Sequence, residues 1–300
     1  MNNTSNKLTY WQIWMLAARP KTLPAAAAPV VTGSAVAYYA GFFQFGPALA
    51  ALLAALLLQI GANIANDVFD FHRGADTHER LGPLRVTQAG LLTPQQALAG
   101  MWVTFGLAAL LGVYLIIVAG WPVLVIGLAS IAAAIAYTGG PFPLGYYGLG
   151  DLAVFIFFGL VAVCGTYYVQ ALNVTWLAIW SSFPMGFLIT AILVVNNLRD
   201  IHTDRAAGKH TLAVRLGETG TRQEYTLLVG GAYVVPLIVW LGGLAPAWVL
   251  LAWLSSPAAV SLIRYVWLQR GRPLNKALGG TGQLALLFSA FYAIGLIFGR

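Results

Sequence analysis

Two short stretches hold five of the nine acidic residues of this chain, and both follow the same grammar. The first, Asn63–Asp76, reads NIANDVFDFHRGAD. Asn63, Asn66, Asp67, Asp70 and Gly74 stand at i, i+3, i+4, i+7 and i+11. On a helix that spacing puts four polar side chains on one face, with a glycine at the turn above them. The second stretch, Asn196–Lys209, reads NNLRDIHTDRAAGK, with Asn196, Asp200 and Asp204 at i, i+4 and i+8. Each stretch ends a long apolar run, and carboxylates at the mouth of a membrane helix are costly enough to point to function. Oxygen donors suit Mg²⁺, which takes one or two carboxylates and completes its octahedron with water and substrate phosphates. Arg73, Arg85, Arg199, Arg205 and Lys209 are interleaved with the carboxylates. Carboxylates for a metal beside cations for phosphate suggest a site for a Mg²⁺–diphosphate complex, in which charge is withdrawn from a departing diphosphate.

Other readings of the same residues are solvated helix mouths or loops, and Asp76 and Glu79 suit a loop as well as a site. His72, His78, His202 and His210 flank the two stretches but form no His/Cys spacing of a transition-metal site. Neither GxxxxGK[ST] nor a GxGxxG after a strand occurs, so nucleotide-driven chemistry has no support. The single cysteine, Cys164, excludes an intrachain disulfide.

The elements that must position these residues are membrane helices. Hydrophobic residues make up 59% and charged residues 8% of the chain, and mean hydropathy is +0.78. A soluble domain carries roughly 25% charged residues. Apolar runs predict an all-α polytopic protein with nine spans, near 23–42, 47–66, 96–119, 121–138, 151–170, 175–195, 226–242, 246–268 and 281–298. No cleavable signal peptide is expected at the N-terminus. Tyr10, Trp11 and Trp14, ahead of Arg19 and Lys21, predict an interfacial helix leading into the first span. Fifteen of the sixteen basic residues fall before span one, in the connections after spans two and six, or around the connection between spans eight and nine, and the opposite connections carry no charge. This positive-inside pattern places the N-terminus and both acidic stretches on the cytoplasmic side. The net charge of +7 therefore describes one face, suited to orientation and anionic headgroups rather than to nucleic acid. The acidic stretches follow spans two and six. That suggests a single domain of two four-helix halves, about 20–140 and 150–270, with a ninth helix added.

NDVFDFHRGAD, GPLRVTQ at 82–88, YTGGPFPLGY at 137–146 and NNLRDIHTDRAAGKHTLAVRLG at 196–217 resemble the UbiA superfamily of intramembrane prenyltransferases. The resemblance covers nearly the whole chain. With ARPKTL (Ala18–Leu23) and GTYYVQ (Gly165–Gln170), it is closest to the 1,4-dihydroxy-2-naphthoate polyprenyltransferases of menaquinone synthesis in the cytoplasmic membrane. It implies a nine-helix bundle around a central cavity and a Mg²⁺-dependent reaction of polyprenyl diphosphate with 1,4-dihydroxy-2-naphthoate, losing CO₂ and diphosphate. Carried over by motif, Asn63, Asn66, Asp67 and Asp70 form a first metal–diphosphate cluster, completed by Asp76. Asp200 and Asp204 form the second, supported by Asn196 or Asn197. Arg73, Arg85 and Lys209 grip phosphate. Tyr137, Tyr146 and Tyr147 stabilise an allylic cation through their ring faces or simply belong to an interfacial aromatic belt. Arg19 or Lys21 pairs with the acceptor carboxylate. Asp151 stands where the family often carries Glu. The loops 72–94 and 139–150 close over the site. Other acceptors, 4-hydroxybenzoate, homogentisate, a chlorophyllide or haem, stay open. So does a cation-coupled transporter, although its polar groups belong near the bilayer midplane rather than at one mouth. A CDP-alcohol phosphotransferase lacks its DGxxAR…GxxxDxxxD run here.

Overall fold

The structure, a computed structural model, describes residues 8–74 and 81–300, and these form helices and connecting turns with no strand. Asp76 and Glu79 lie outside the described residues. Helix α1 (Tyr10–Ala18) starts from a capping box in which Thr9 and Gln12 satisfy each other's backbone N–H groups. Tyr10 and Trp11 are exposed on it, as an interfacial anchor requires. A tight turn through Pro20–Thr22 leads into α2 (Leu23–Tyr39).

Helix α3 (Phe45–His72) is longer than the apolar run that announced it. Its 28 residues span roughly 42 Å at 1.5 Å per residue, against about 30 Å of hydrocarbon. The first acidic stretch is thus carried on the same rod, and the chain leaves the helix only at Gly74, with φ +64°. The second half repeats the device. Helix α8 (Trp176–Arg199) runs into the second stretch, breaks at Asp200 and restarts as α9 (Ile201–Ala206).

Between them stand α4 (Pro94–Ala119), capped by Thr93 with Pro94 at its first position, and the shorter α5 (Trp121–Ala136). A continuous rod follows, built of α6 (Gly150–Val154), a π-helical segment over Phe155–Val161 and α7 (Ala162–Ala171). Helix α10 (Leu212–Leu241) begins well before the expected span and bends at Gly217. A 3₁₀ segment, Ala247–Ser255, leads into α11 (Ser256–Leu268), and α12 (Leu274–Phe298) closes the chain. Among the described residues seven rods are long and apolar enough to cross a membrane, and α5 is a shorter apolar helix. The remaining counterpart of the nine expected spans is α2, with 17 residues.

The chain is a multi-pass membrane protein, and its packing follows membrane rules. Leu110, Ile117, Leu227 and Leu241 point outward, which water would not tolerate on this scale. Inside, hydroxyls stitch helices together: Thr32 with Ser289, Ser181 with Tyr292, and Tyr225 with Thr281, at 2.8–3.0 Å. Small residues allow close approach. A Cβ on Gly295 of α12 would lie 2.1 Å from the Trp248 carbonyl oxygen, a backbone atom that cannot swing aside. Gly295→Ala is therefore expected to cost about 1–3 kcal/mol, read as a fall in Tm in detergent. Gly279→Ala on the same helix meets open space and should leave Tm unchanged or slightly raised.

Candidate active site

The two acidic stretches meet across one cavity of about 600 Å³. Asn63, Asn66 and Asp70 of α3 line it on one side. Asn196, Asn197, Asp200, Asp204 and Lys209 line it on the other. Arg85 and Tyr146 enter from the loops after α3 and α5. Below this polar mouth the walls become apolar, through Ala108 and Gly112 of α4, Phe157, Phe158 and Val161 of the π-helical segment, and Val169 of α7. The extra residue per turn of a π segment re-aims neighbouring side chains, which is one reason such segments recur at functional sites.

Asp70 is held by three side chains. Its Oδ2 lies 2.5 Å from Arg85 Nη2, and its Oδ1 accepts from the Tyr146 hydroxyl at 2.7 Å. Lys209 Nζ stands 3.9 Å from Asp70 Oδ1 and 3.6 Å from Asp204 Oδ1, so one ammonium spans both acidic stretches. That ammonium is placed by the turn after α9. Gly208, with φ +71°, reverses the chain so that the Lys209 N–H returns to the Asp204 carbonyl at 2.9 Å. Burial pushes the Asp204 carboxyl up to about 6, with Lys209 opposing that rise and the Asp200 charge adding to it. Burial also raises the Tyr146 hydroxyl, and the Asp70 charge raises it further, so the phenol stays a neutral donor.

Asp200 is gripped by the buried Arg199, whose Nε donates to Oδ1 at 2.9 Å while Nη2 pairs with Oδ2 and with Asn196 Oδ1. Arg199 Nη1 donates to Asn275 Oδ1 of α12 at 2.7 Å, and Asn275 Nδ2 donates to the Leu81 carbonyl at 2.9 Å. The second acidic stretch is thereby tied to the loop that follows the first. The loop before α6 is tied in as well, by His210 N–H to the Tyr146 carbonyl and Arg73 to the Gly140 carbonyl.

Several expected residues stand elsewhere. Asp67 does not line the cavity. One residue from Asn66, it sits about 100° round the helix, where its buried Oδ2 accepts from the Val86 N–H at 3.0 Å and anchors the loop carrying Arg85. Asn63 lines the cavity, but its Nδ2 donates to the Ala18 carbonyl and Thr22 Oγ1, so its amide clamps the α1–α2 junction. Arg73 and Lys209 lie 5.3 and 4.6 Å from the Tyr146 ring centroid, so that ring already faces two protein cations. Tyr137 lines the cavity, whereas Tyr147 stacks on Phe142 away from it. Asp151 is buried behind the wall, and Arg205 donates to the Val214 carbonyl outside the cavity. Sequence reasoning missed Thr138, which donates to Asn66 Oδ1 at 2.9 Å, together with Asn275 and Gln59.

The donor set is all oxygen: Asn66, Asp70, Asp200 and Asp204 face one space in which Lys209 already puts a positive charge between two carboxylates. Among the described residues no three His, Cys, Asp or Glu side chains converge as a cage. The oxygen donors facing the cavity are of the type that suits a hard divalent cation completed by substrate oxygens and water.

Comparison with known proteins agrees with this architecture. The profile of the UbiA prenyltransferase family matches residues 26–295. The chain belongs to that family. It is 39% identical to the 1,4-dihydroxy-2-naphthoate octaprenyltransferase of Escherichia coli (strain K12), covering 98% of this chain and 97% of the relative. Identity to the protein of the same name from Mycobacterium tuberculosis is 41%, covering 96% and 97%. Among solved structures, a UbiA homolog from Archaeoglobus fulgidus bound to GPP and Mg²⁺ shares the fold with a TM-score of 0.68 at 16% identity, covering 95% of this chain and 99% of that one. An apo UbiA homolog from Aeropyrum pernix K1 gives 0.70 at 14% identity, covering 90% and 97%.

The different positions of the two neighbouring aspartates can be separated by titration. Asp70→Asn and Asp204→Asn are expected to weaken Mg²⁺ binding in the presence of inorganic diphosphate by about 10–100-fold. Asp67→Ala should leave that affinity within about threefold and instead lower stability by about 1–3 kcal/mol, because the buried Val86 N–H loses its acceptor. Calorimetric titration and Tm on the same preparations read both.

Proposed function

We propose that this chain transfers a polyprenyl group from polyprenyl diphosphate to 1,4-dihydroxy-2-naphthoate, releasing diphosphate and CO₂ and giving demethylmenaquinol, the reduced form of demethylmenaquinone. The observation that carries the reading is the cavity itself, with both acidic stretches and their cations at one mouth and a continuous apolar body beneath. Several relatives over nearly their full length are named for this acceptor, which favours naphthoate over the other aromatic acids. A transporter is disfavoured, because the carboxylates stand together at the mouth and the deeper lining is mainly apolar.

Asn66, Asp70, Asp200 and Asp204 would hold Mg²⁺, which supplies electrostatic withdrawal of charge from the departing diphosphate. Arg85 and Lys209 stand beside these oxygens, placed to take phosphate oxygens, and Arg73 backs them through the Tyr146 ring. The neutral Tyr146 hydroxyl holds Asp70 in place by donating to it. Apolar walls exclude water from the allylic carbon as the carbon–oxygen bond breaks. The electron-rich ring attacks that carbon, its carboxyl group leaves as CO₂, and aromaticity returns. We place the site on the cytoplasmic side of the cytoplasmic membrane, with the N-terminus inside, from the distribution of basic residues.

Purified protein with Mg²⁺ and a long polyprenyl diphosphate is expected to give a prenylated 1,4-dihydroxynaphthalene, read as the naphthoquinone after oxidation in air, and CO₂ from 1,4-dihydroxy-2-naphthoate, and nothing from 4-hydroxybenzoate. EDTA should abolish the product. Asp70→Asn and Asp200→Asn should each lower turnover by about 10²–10³-fold, the loss typical of removing an electrostatic stabiliser. Product from 4-hydroxybenzoate alone would move the reading to another acceptor. Near-normal turnover of the Asp70 and Asp200 variants would remove these residues from the mechanism.

A further inference from the structure

The outward face of α12 begins polar. Lys276, Gly279, Gln283 and Leu287 stand at i, i+3, i+7 and i+11, along one stripe of the helix. Lys276, Gln283 and Leu287 are exposed there, and a Cβ on Gly279 would meet nothing within 4 Å, so the stripe is turned away from the bundle. Its lower part, with Leu287 and Ile294 exposed, suits acyl chains. Gln283 does not. Its amide makes no hydrogen bond with the described residues. An amide without partners at the edge of hydrocarbon costs free energy, so it favours a ligand that brings an acceptor.

Two lysines flank that amide. Lys276 stands about 10 Å from Gln283 along the axis. Its Nζ lies 5.7 Å from the Tyr265 ring centroid, and the Tyr265 hydroxyl donates to the Pro273 carbonyl at 3.2 Å, so the ring backs the lysine at the α11–α12 elbow. On the other side α2 begins. The Lys21 carbonyl oxygen is 3.7 Å from where a Cβ on Gly282 would stand, and Lys21 is exposed. Because Lys21 follows the interfacial helix α1, Gln283 stands close to headgroup level rather than in mid-hydrocarbon.

No carboxylate answers these cations. No acidic residue follows Glu224 in the sequence, and Glu218 is taken up by Arg222 and Arg270. Among the described residues, Lys21, Lys276 and the exposed Arg272 of the elbow meet no acidic side chain.

We propose that this stripe binds one anionic phospholipid. Its phosphate is held by Lys21 and Lys276, with Arg272 beside them at the elbow. The Gln283 amide donates to a glycerol ester carbonyl, Gly279 leaves room for the glycerol backbone, and an acyl chain runs down over Leu287 and Ile294. A second copy of this chain fits the stripe poorly, because self-contact would set these cations against one another with no acid between them. The site is separate from the cavity, which Arg19 lines but Lys21, Lys276 and Gln283 do not. It does not depend on the reaction proposed above.

The test is native mass spectrometry of the full chain released from a neutral detergent, which counts bound lipid. The probes are phosphatidylglycerol and phosphatidylcholine with identical chains. Wild-type protein is expected to hold one phosphatidylglycerol at least about tenfold more tightly than phosphatidylcholine. Lys21→Gln and Lys276→Gln should each lower phosphatidylglycerol affinity about fivefold and leave phosphatidylcholine within about twofold. Gln283→Leu, which changes no charge, should weaken both lipids about three- to fivefold. Arg264→Gln removes an exposed cation of α11, off the stripe, and should stay within about twofold of wild type. Lys276→Gln and Gln283→Leu, both on the outward face, carry the test if Lys21→Gln does not fold. Equal losses in Arg264→Gln and Lys276→Gln with Gln283→Leu silent would leave only the general attraction of a positive face and overturn the site. Displacement of the lipid by inorganic phosphate, or a lipid-free dimer that Gln283→Leu weakens, would overturn it in favour of a free anion or a second copy.

Discussion

Taking a carboxylate out of water costs several kcal/mol unless cations and hydrogen bonds answer it, and this protein buries Asp67, Asp70 and Asp151 within a largely apolar bundle. The Lys209 ammonium between Asp70 and Asp204 is the contact on which the site depends. It joins residues that are far apart in sequence and stand on opposite walls. Without it, two acidic surfaces would face each other across low-dielectric space and repel. Arg85 on Asp70 and Arg199 on Asp200 complete the balance, so each acidic stretch brings its own counter-charge and shares one more.

The same balance extends into the described parts of the connections. The Asn275 amide spans from Arg199 to Leu81, and the Arg73 side chain reaches the backbone at Gly140. The Asp67 carboxylate holds the backbone at Val86 and with it the loop that delivers Arg85. Apart from the side-chain pair Arg199–Asn275, these contacts run from a side chain to the backbone of another segment. They position groups that touch the cavity without touching it themselves.

Much of this was legible in the sequence, for physical reasons. Apolar runs of membrane length have no other stable use, so the helices were readable, and so were the acidic faces at their ends. Helix ends were not, because α3 and α8 continue as helix through polar residues where hydropathy falls. Asp67 was read onto the cavity because i+4 spacing from Asn63 looks like one face, although its neighbours Asn66 and Asp70 set the face that counts. The amide of Asn63 proved to hold a backbone junction. Tyr146, Thr138 and Asn275 act through contacts with partners more than seventy residues away in sequence, and spacing carries no trace of those.

The cavity is polar at one end and apolar along its length, so it behaves as a fold of the membrane–water boundary drawn inside the protein. In the proposed reaction both substrates arrive with a charged end, a diphosphate or a carboxylate, that the mouth retains. Both of those ends are lost in the reaction, one as diphosphate and one as CO₂. The joined product carries no charge. Its partition coefficient then favours departure into the bilayer, and the same polarity gradient that sorts the reactants gives the catalytic cycle its direction.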